Sequence, residues 1–191
     1  ALDRVLEIDF DRQVFTNLSQ DHLDFHESWE DYFEAKLKLF QFNDQPGVVN
    51  IDDKWGPEII SRSQGPTFTY GVEEEADFKA EEIEINARGV AYKLRTADQE
   101  LEIKLKLTGR FNVYNSLAAI AAVASLGYDL EEIKQGIETA NRVPGRFQLV
   151  DEGQDFGVII DYAHTPDGME NVLQTAHEFT AGRVIVVFGC G

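Results

Sequence analysis

Residues 76–107, ADFKAEEIEINARGVAYKLRTADQELEIKLKL, alternate apolar and polar side chains with period two, three times over. Only an extended strand puts every second residue on one face, so this stretch cannot settle into a helix. Breaks near Asn86–Gly89 and near Asp98 divide it into three runs, which predicts an antiparallel meander. The acidic residues Glu73–Glu75, Asp77, Glu81, Glu82 and Glu84 read most simply as a solvated strand face and loop.

The flanking sequence has a different rhythm. VFTNL (14–18) reads as a short buried strand that delivers Asp21, His22 and Asp24 to a loop. Trp29, Tyr32, Phe33, Leu37 and Phe40 then recur at helical intervals. Ser28 is placed to cap that helix, with Asp31 three residues on as a capping-box variant. PGVVNID (46–52) is turn then strand, residues 55–62 a short helix, and PTFTYGV a strand. Beyond the meander, GRFNVYNSLAAIAAVASLG (109–127) predicts an Ala-rich helix capped near Asn112 and closed by Gly127. Asp129 with Glu132 opens another helix, to about Asn141.

RVPGRFQLV breaks the pattern and restarts as a strand. DFGVIIDYAHTPDGMENVLQTAHEFT reads as strand, loop and helix, with Thr165 as cap and Pro166 at the first helical position, and RVIVVF as the next strand. The order from 146 onward suggests an α/β unit opening with a hairpin. The fold class expected is therefore α/β, a mixed sheet with helices plus a meander, with a domain boundary at Pro144–Gly145. Both ends look cut: the chain begins ALDRVLEIDF without a starting Met and stops inside a glycine turn after an apolar run. An internal piece of a longer protein is the expectation.

Composition limits the partners. A net charge of −18 over 191 residues argues against nucleic-acid backbones and anionic membranes. An anionic ligand would need local cations or a metal to receive it. Cys190 is the only cysteine, so no internal disulfide forms, which fits a reducing cytoplasm. No apolar run is long enough to span a bilayer.

Lys36 lies four residues after Tyr32 and four before Phe40, on the apolar stripe of its helix, whereas Lys38 points to water. Snorkelling, with the stem on the core and the ammonium at the rim, is the simpler explanation. The sharper one is a lysine partly buried for chemistry, because burial favours the neutral amine. His22 and His26 are four apart, as on zinc-binding helices, but no Glu follows the first and the pair precedes the helix cap. Asp21, His22 and Asp24 could form one side of a hard-cation site or an exposed polar turn. Asn112 and Asn115 are a cap and its turn mate, or two amides presented to a purine. Arg146 is a surface arginine or a phosphate ligand. Asp161 closes a strand at the end where open α/β sheets bind ligands, with His164 in the loop beyond. The chain contains neither G-x-x-x-x-G-K-[ST] nor G-x-G-x-x-G.

VFTNLSQDHLDFH followed by YFEAK, then TGRFNVYNSLAA, RVPGRF and DYAHTPD, together resemble the Mur ligases. Within them they resemble the branch that adds the third residue to UDP-N-acetylmuramoyl-L-alanyl-D-glutamate (UDP-MurNAc-L-Ala-D-Glu). Five motifs in order span essentially the whole chain, with residues 66–107 carrying little of the likeness. Glu27 departs from the family, which often has Gly at that point. The resemblance implies the later part of a central ATPase domain (1–145), its P-loop upstream, joined to the start of a Rossmann-like C-terminal domain (146–191). It implies an ATP-dependent, Mg²⁺-using amide ligase, monomeric when complete and cytoplasmic in bacteria, acting on UDP-MurNAc-dipeptide with lysine or diaminopimelate through an acyl phosphate.

By the same resemblance, Arg4 holds an acidic part of the muropeptide and His22 helps bind Mg²⁺. Lys36 is a carbamylated lysine that also faces the metal. Asn112 and Asn115 lie against adenine, and Arg146 and Asp161 lie near the phosphates and ribose. Two other readings stand beside this one. One is a related ligase such as folylpolyglutamate or cyanophycin synthetase. The other is a catalytically empty α/β binding module, which the missing P-loop favours and Lys36 on an apolar face opposes.

Overall fold

The computed structural model describes residues 8–18, 28–86, 88–140, 143–150 and 152–189. Six strands form one sheet in sequence order: β1 (Gln13–Phe15), β2 (Gly47–Asn50), β3 (Thr67–Gly71), β4 (Phe78–Asn86), β5 (Gly89–Arg95) and β6 (Glu100–Leu105). β1 to β4 pair in parallel, and β4, β5 and β6 pair antiparallel as the alternation required.

Two of the three parallel pairs are joined by helical crossovers, α1 (Trp29–Phe40) between β1 and β2 and α2 (Gly56–Arg62) between β2 and β3. β3 and β4 are joined by the loop 72–77 alone and pair in parallel over only Tyr70↔Phe78 and Gly71↔Lys79. The meander strands need only turns. Ser28 caps α1 by accepting from the Asp31 N–H at 3.1 Å. The strand read over 14–18 is shorter than the motif, ending at Phe15.

β2 is buried along its whole length, as expected of a parallel strand covered on both faces. Its adjacent valines serve different cores. Val48 packs with Tyr70, Tyr92, Val113, Leu117 and Ile120 beneath α3 (Arg110–Ala124). Val49 packs with Phe15, Phe33, Leu37, Phe40 and Ile59 beneath α1 and α2.

α3 departs from expectation at its start. Gly109, at φ 95°, is the N-cap, and Asn112 lies inside the first turn, 8% exposed. Asn112 Nδ2 donates to the Thr108 carbonyl at 2.7 Å. Gly109 suits this position because its φ is unfavourable for a side chain, and an added Cβ would sit 2.7 Å from the Phe111 ring. α4 (Leu130–Thr139) is capped by Asp129 as expected and lays Leu130, Ile133 and Ile137 on the sheet core.

The acidic run is more engaged than a solvated face. Glu75 pairs with Lys79 at 2.8 Å and Arg95 at 2.7 Å, Glu81 with Arg95, Glu82 with Lys93, and Glu73 with Arg110. Lys79 and then Arg95 hold the Glu75 carboxyl down to about 2.

β7 (Gln148–Val150) and β8 (Val158–Ile160) form the expected antiparallel hairpin, followed by α5 (Pro166–Phe179) with Thr165 as cap. The expected strand over 183–188 is not formed: these residues carry no strand pairing, and Val187 is 95% exposed. Apolar patterning favours an extended conformation, but a strand also needs a partner for its backbone. Phe147 joins the hairpin to the main sheet's helix, its ring 6.0 Å from Phe111 on α3 and 6.1 Å from Phe179 on α5.

Leu37 is fully buried in the α1 core. Leu37→Ala is expected to cost about 2–5 kcal/mol, measured by urea unfolding, whereas Lys38→Ala should leave the midpoint almost unchanged.

Candidate active site

Parallel strands bring their carboxyl ends to one edge, where open α/β sheets place ligands. Here that edge is organised by NIDD, residues 50–53, which leaves β2 and reaches its neighbours on both sides. Asn50 Nδ2 donates to the Thr16 carbonyl beyond β1 at 2.8 Å. Asp53 Oδ2 accepts from the Leu18 N–H at 3.1 Å, while its Oδ1 accepts from Trp55 N–H at 2.9 Å. On the other side Asp52 gathers the loop after β3. Its Oδ2 accepts from Val72 N–H (2.6 Å) and Glu73 N–H (3.0 Å), and its Oδ1 from Glu74 N–H (2.8 Å).

Tyr114 Oη on α3 donates to the same Asp52 Oδ2 at 2.9 Å. Burial by itself would raise the Asp52 carboxyl, but the three backbone donors and Tyr114 outweigh it and hold the group below the usual carboxylate range. Burial, and then Asp52, push the Tyr114 hydroxyl up, so it remains a donor at neutral pH. Asp52, Asp53 and Tyr114 were not among the residues singled out from sequence. The available signal was two adjacent acids at the carboxyl end of an expected strand.

α3 presents two asparagines beside this junction. Asn112 is buried and committed to the Thr108 carbonyl, whereas Asn115, one turn on, is exposed. Asn115 Nδ2 donates to Asn112 Oδ1 at 3.3 Å, so the buried amide orients the exposed one. The structure therefore keeps the two together but gives them unequal access.

Arg146 and Asp161 are also brought together. Asp161 Oδ2 accepts from Phe147 N–H at 2.6 Å and its Oδ1 from Ala163 N–H at 2.7 Å. The carboxylate thus clamps the turn holding Arg146 onto the loop after β8. That turn has two residues at positive φ, Gly145 at 71° and Phe147 at 44°. Arg146 is exposed, its guanidinium 5.2 Å from the Tyr162 ring centre, and His164 meets the same ring edge-on at 5.0 Å. Through Phe147 and Phe111 this cluster adjoins the first turn of α3.

Lys36 stands apart from them, on α1 across the sheet from α3. It is half-buried, and its Nζ lies 5.1 Å from the Tyr32 ring centre. A cation over a ring face is attracted by the ring's quadrupole, and the position of Nζ over Tyr32 matches a snorkelling pose, with the stem along the apolar stripe. Arg4, His22, Asp21, Asp24, His26 and Cys190 fall outside the described residues. Among the described residues no group of three or more His, Cys, Asp or Glu is arranged to hold a metal ion. The described residues do not by themselves make a Mg²⁺ site. No helix among them is long and apolar enough to cross a membrane.

The depressed carboxyl of Asp52 sets a pH dependence. Its stabilising contribution is fully present above the ordinary Asp value of 3.8 and is lost as pH falls through the lower folded value. The stability difference between the wild type and Asp52→Asn should be flat above about pH 4 and shrink below it, read from urea midpoints across pH.

Residues 1–123 match the Mur ligase middle domain and residues 145–191 the Mur ligase glutamate ligase domain. A UDP-N-acetylmuramoyl-L-alanyl-D-glutamate–2,6-diaminopimelate ligase from Clostridium botulinum is 46% identical over 192 aligned positions, covering all of this chain and 40% of its own length. The ligase of the same name from Caldanaerobacter subterraneus is 48% identical over the whole chain and 39% of its own length. A solved structure of a ligase of that name superimposes with a TM-score of 0.77 at 33% identity, over 94% of this chain and 38% of that one. The chain thus spans about two fifths of the length of the relatives it matches. With the middle-domain match extending over residues 1–123 and the six-stranded mixed sheet beneath it, the chain belongs to the Mur ligase family.

Proposed function

We propose that this chain is part of an ATP-dependent amide ligase that joins diaminopimelate to UDP-MurNAc-L-Ala-D-Glu in peptidoglycan precursor synthesis. Residues 1–145 are the later part of its central ATPase domain and residues 146–191 the first elements of its carboxyl-terminal domain. The observation that carries this is identity of 46–48% along the entire chain to ligases of that name. Those names also favour diaminopimelate over lysine as the incoming amino acid. The setting is the bacterial cytoplasm, and the complete ligase is a monomer.

In the reaction the D-glutamyl γ-carboxylate takes the terminal phosphoryl group of ATP and ADP departs. The amine attacks the acyl carbon, and the tetrahedral intermediate expels phosphate as the nitrogen gives up its proton. Such chemistry asks the protein for position and charge more than for covalent help. Asn115, oriented by Asn112, offers its amide to adenine. Arg146 neutralises phosphate charge from the turn that Asp161 clamps, and Asp161 itself lies near the ribose. Arg4 receives an acidic group of the muropeptide.

Mg²⁺ supplies charge neutralisation when bound. His22 would help hold it, by likeness to the family. Lys36, released from its place over Tyr32 as a neutral amine, reacts with CO₂ to give a carbamate and a proton. The product is a carboxylate longer than glutamate.

The test is phosphate release by the complete ligase, dependent on ATP, the UDP-MurNAc-dipeptide and diaminopimelate together. Turnover with diaminopimelate omitted would refute the reading. Arg146→Ala should lower turnover by about a hundredfold while barely moving the melting temperature, and Arg4→Ala should chiefly raise KM for the muropeptide. Lys36→Ala should abolish ligation with the fold intact. Intact mass of the wild type under bicarbonate should show one added CO₂ that the variant lacks. The 191-residue chain alone should bind Mg-ATP more weakly than micromolar by calorimetry, because it has no P-loop sequence.

A further inference from the structure

The loop after β3 turns three successive backbone N–H groups, those of Val72, Glu73 and Glu74, toward one point. A run of converging amides of this kind is an anion-binding concavity. Here its occupant is internal: the Asp52 carboxylate, which also accepts from Tyr114 on α3. A second tie runs parallel to the first, from Glu73 in the same loop to Arg110 on α3. Arg110 and Tyr114 are four apart and so lie on one face of the helix, one turn from each other. Asn112 and Asn115 lie between and directly beyond them. The two ties therefore fix both the height of the first turn of α3 and its rotation about the helix axis.

We propose that Asp52 is a positioning residue for nucleotide binding, acting through Asn115. The carboxylate holds the 72–74 loop and Tyr114 in one cluster. That cluster sets the rotation at which α3 presents the exposed Asn115 amide beside buried Asn112. A small rotation of α3 would be taken up by aliphatic contacts in the core without loss of the fold. It would, however, displace the Asn115 amide from a planar acceptor–donor pair. This inference rests on the proposed role of Asn115 toward adenine.

A strut that merely stabilises the domain would affect every substrate alike, and its effect would add to that of Asn115→Ala. A positioning residue predicts a selective effect that disappears once Asn115 is gone. The experiment is a double-mutant cycle in the complete ligase with Asp52→Asn, Asn115→Ala and the pair. It is read by calorimetric binding of a non-hydrolysable ATP analogue and by KM for ATP and for the muropeptide. Asp52→Asn should weaken analogue binding and raise KM for ATP by about tenfold, with KM for the muropeptide within twofold. Tyr114→Phe, which removes one of four donors, should show a smaller change in the same direction. In the Asn115→Ala background, Asp52→Asn should add nothing further to the loss of analogue binding. Ile59→Val, buried in the core on the opposite face, supplies the pattern of a purely destabilising change.

Additive losses, or equal changes in both KM values matching those of Ile59→Val, would overturn the positioning role. The proposed activity is judged separately, by wild-type turnover. A wild type that binds the analogue without ligating refutes the ligase reading and still reports on Asp52 through the binding cycle. A wild type that does not bind the analogue refutes both.

Discussion

β2 has no solvated face. Each of its four residues is buried, and its two valines divide between two cores, one beneath α3 and one beneath α1 and α2. Burying such side chains stabilises by roughly 1.5–3 kcal/mol each. A one-residue slip in register would exchange the two sets and empty both cores. The position of β2 is thereby fixed along the strand direction, and so is the point at which NIDD emerges. Everything at the carboxyl edge is measured from that point: the Thr16 and Leu18 backbone on one side, and the 72–74 loop and α3 on the other.

The chain carries about twice as many acids as bases, 35 against 17, whereas the proposed activity would have it receive polyanions. Three acids at this edge are turned inward onto the backbone, while Glu73 and Glu74 in the neighbouring loop stay exposed. Asp52, Asp53 and Asp161 all spend their carboxylate oxygens on backbone N–H groups. In that position they brace loops. Arg146, by contrast, is carried on the outside of a turn, beside the exposed Tyr162. The division between bracing acids and an outward cation is compatible with the proposed role of Arg146 despite the negative total charge.

Some of the site was legible because the signal was local. Ser28, Asp129 and Thr165 were recognisable as caps, since a capping side chain bonds an amide two or three residues away. The clamp of Asp161 on Phe147 was not legible, because its two ends are 14 residues apart and meet only when the hairpin closes. Asp52 and Tyr114, 62 residues apart, are a stronger case. The cap expected near Asn112 is displaced for a related reason. Asparagine is a good cap in isolation, but a glycine able to take φ 95° stood three residues earlier and moved the helix start.

The sequence by itself determined the kinds of element and much of their order. The period-two meander, the amphipathic helix around Leu37 and the turn at Pro144–Gly145 follow from side-chain periodicity and local backbone preference, which do not depend on distant residues. It also determined the family, because five motifs in order are a property of the chain alone. Only the tertiary structure decided which polar groups became partners. It left 183–188 without a paired neighbour, gave Asn112 and Asn115 unequal exposure and set Lys36 over Tyr32. The physical reason is that hydrogen bonds and ring contacts act over a few ångströms, and which groups come that close is set by packing across the whole sheet.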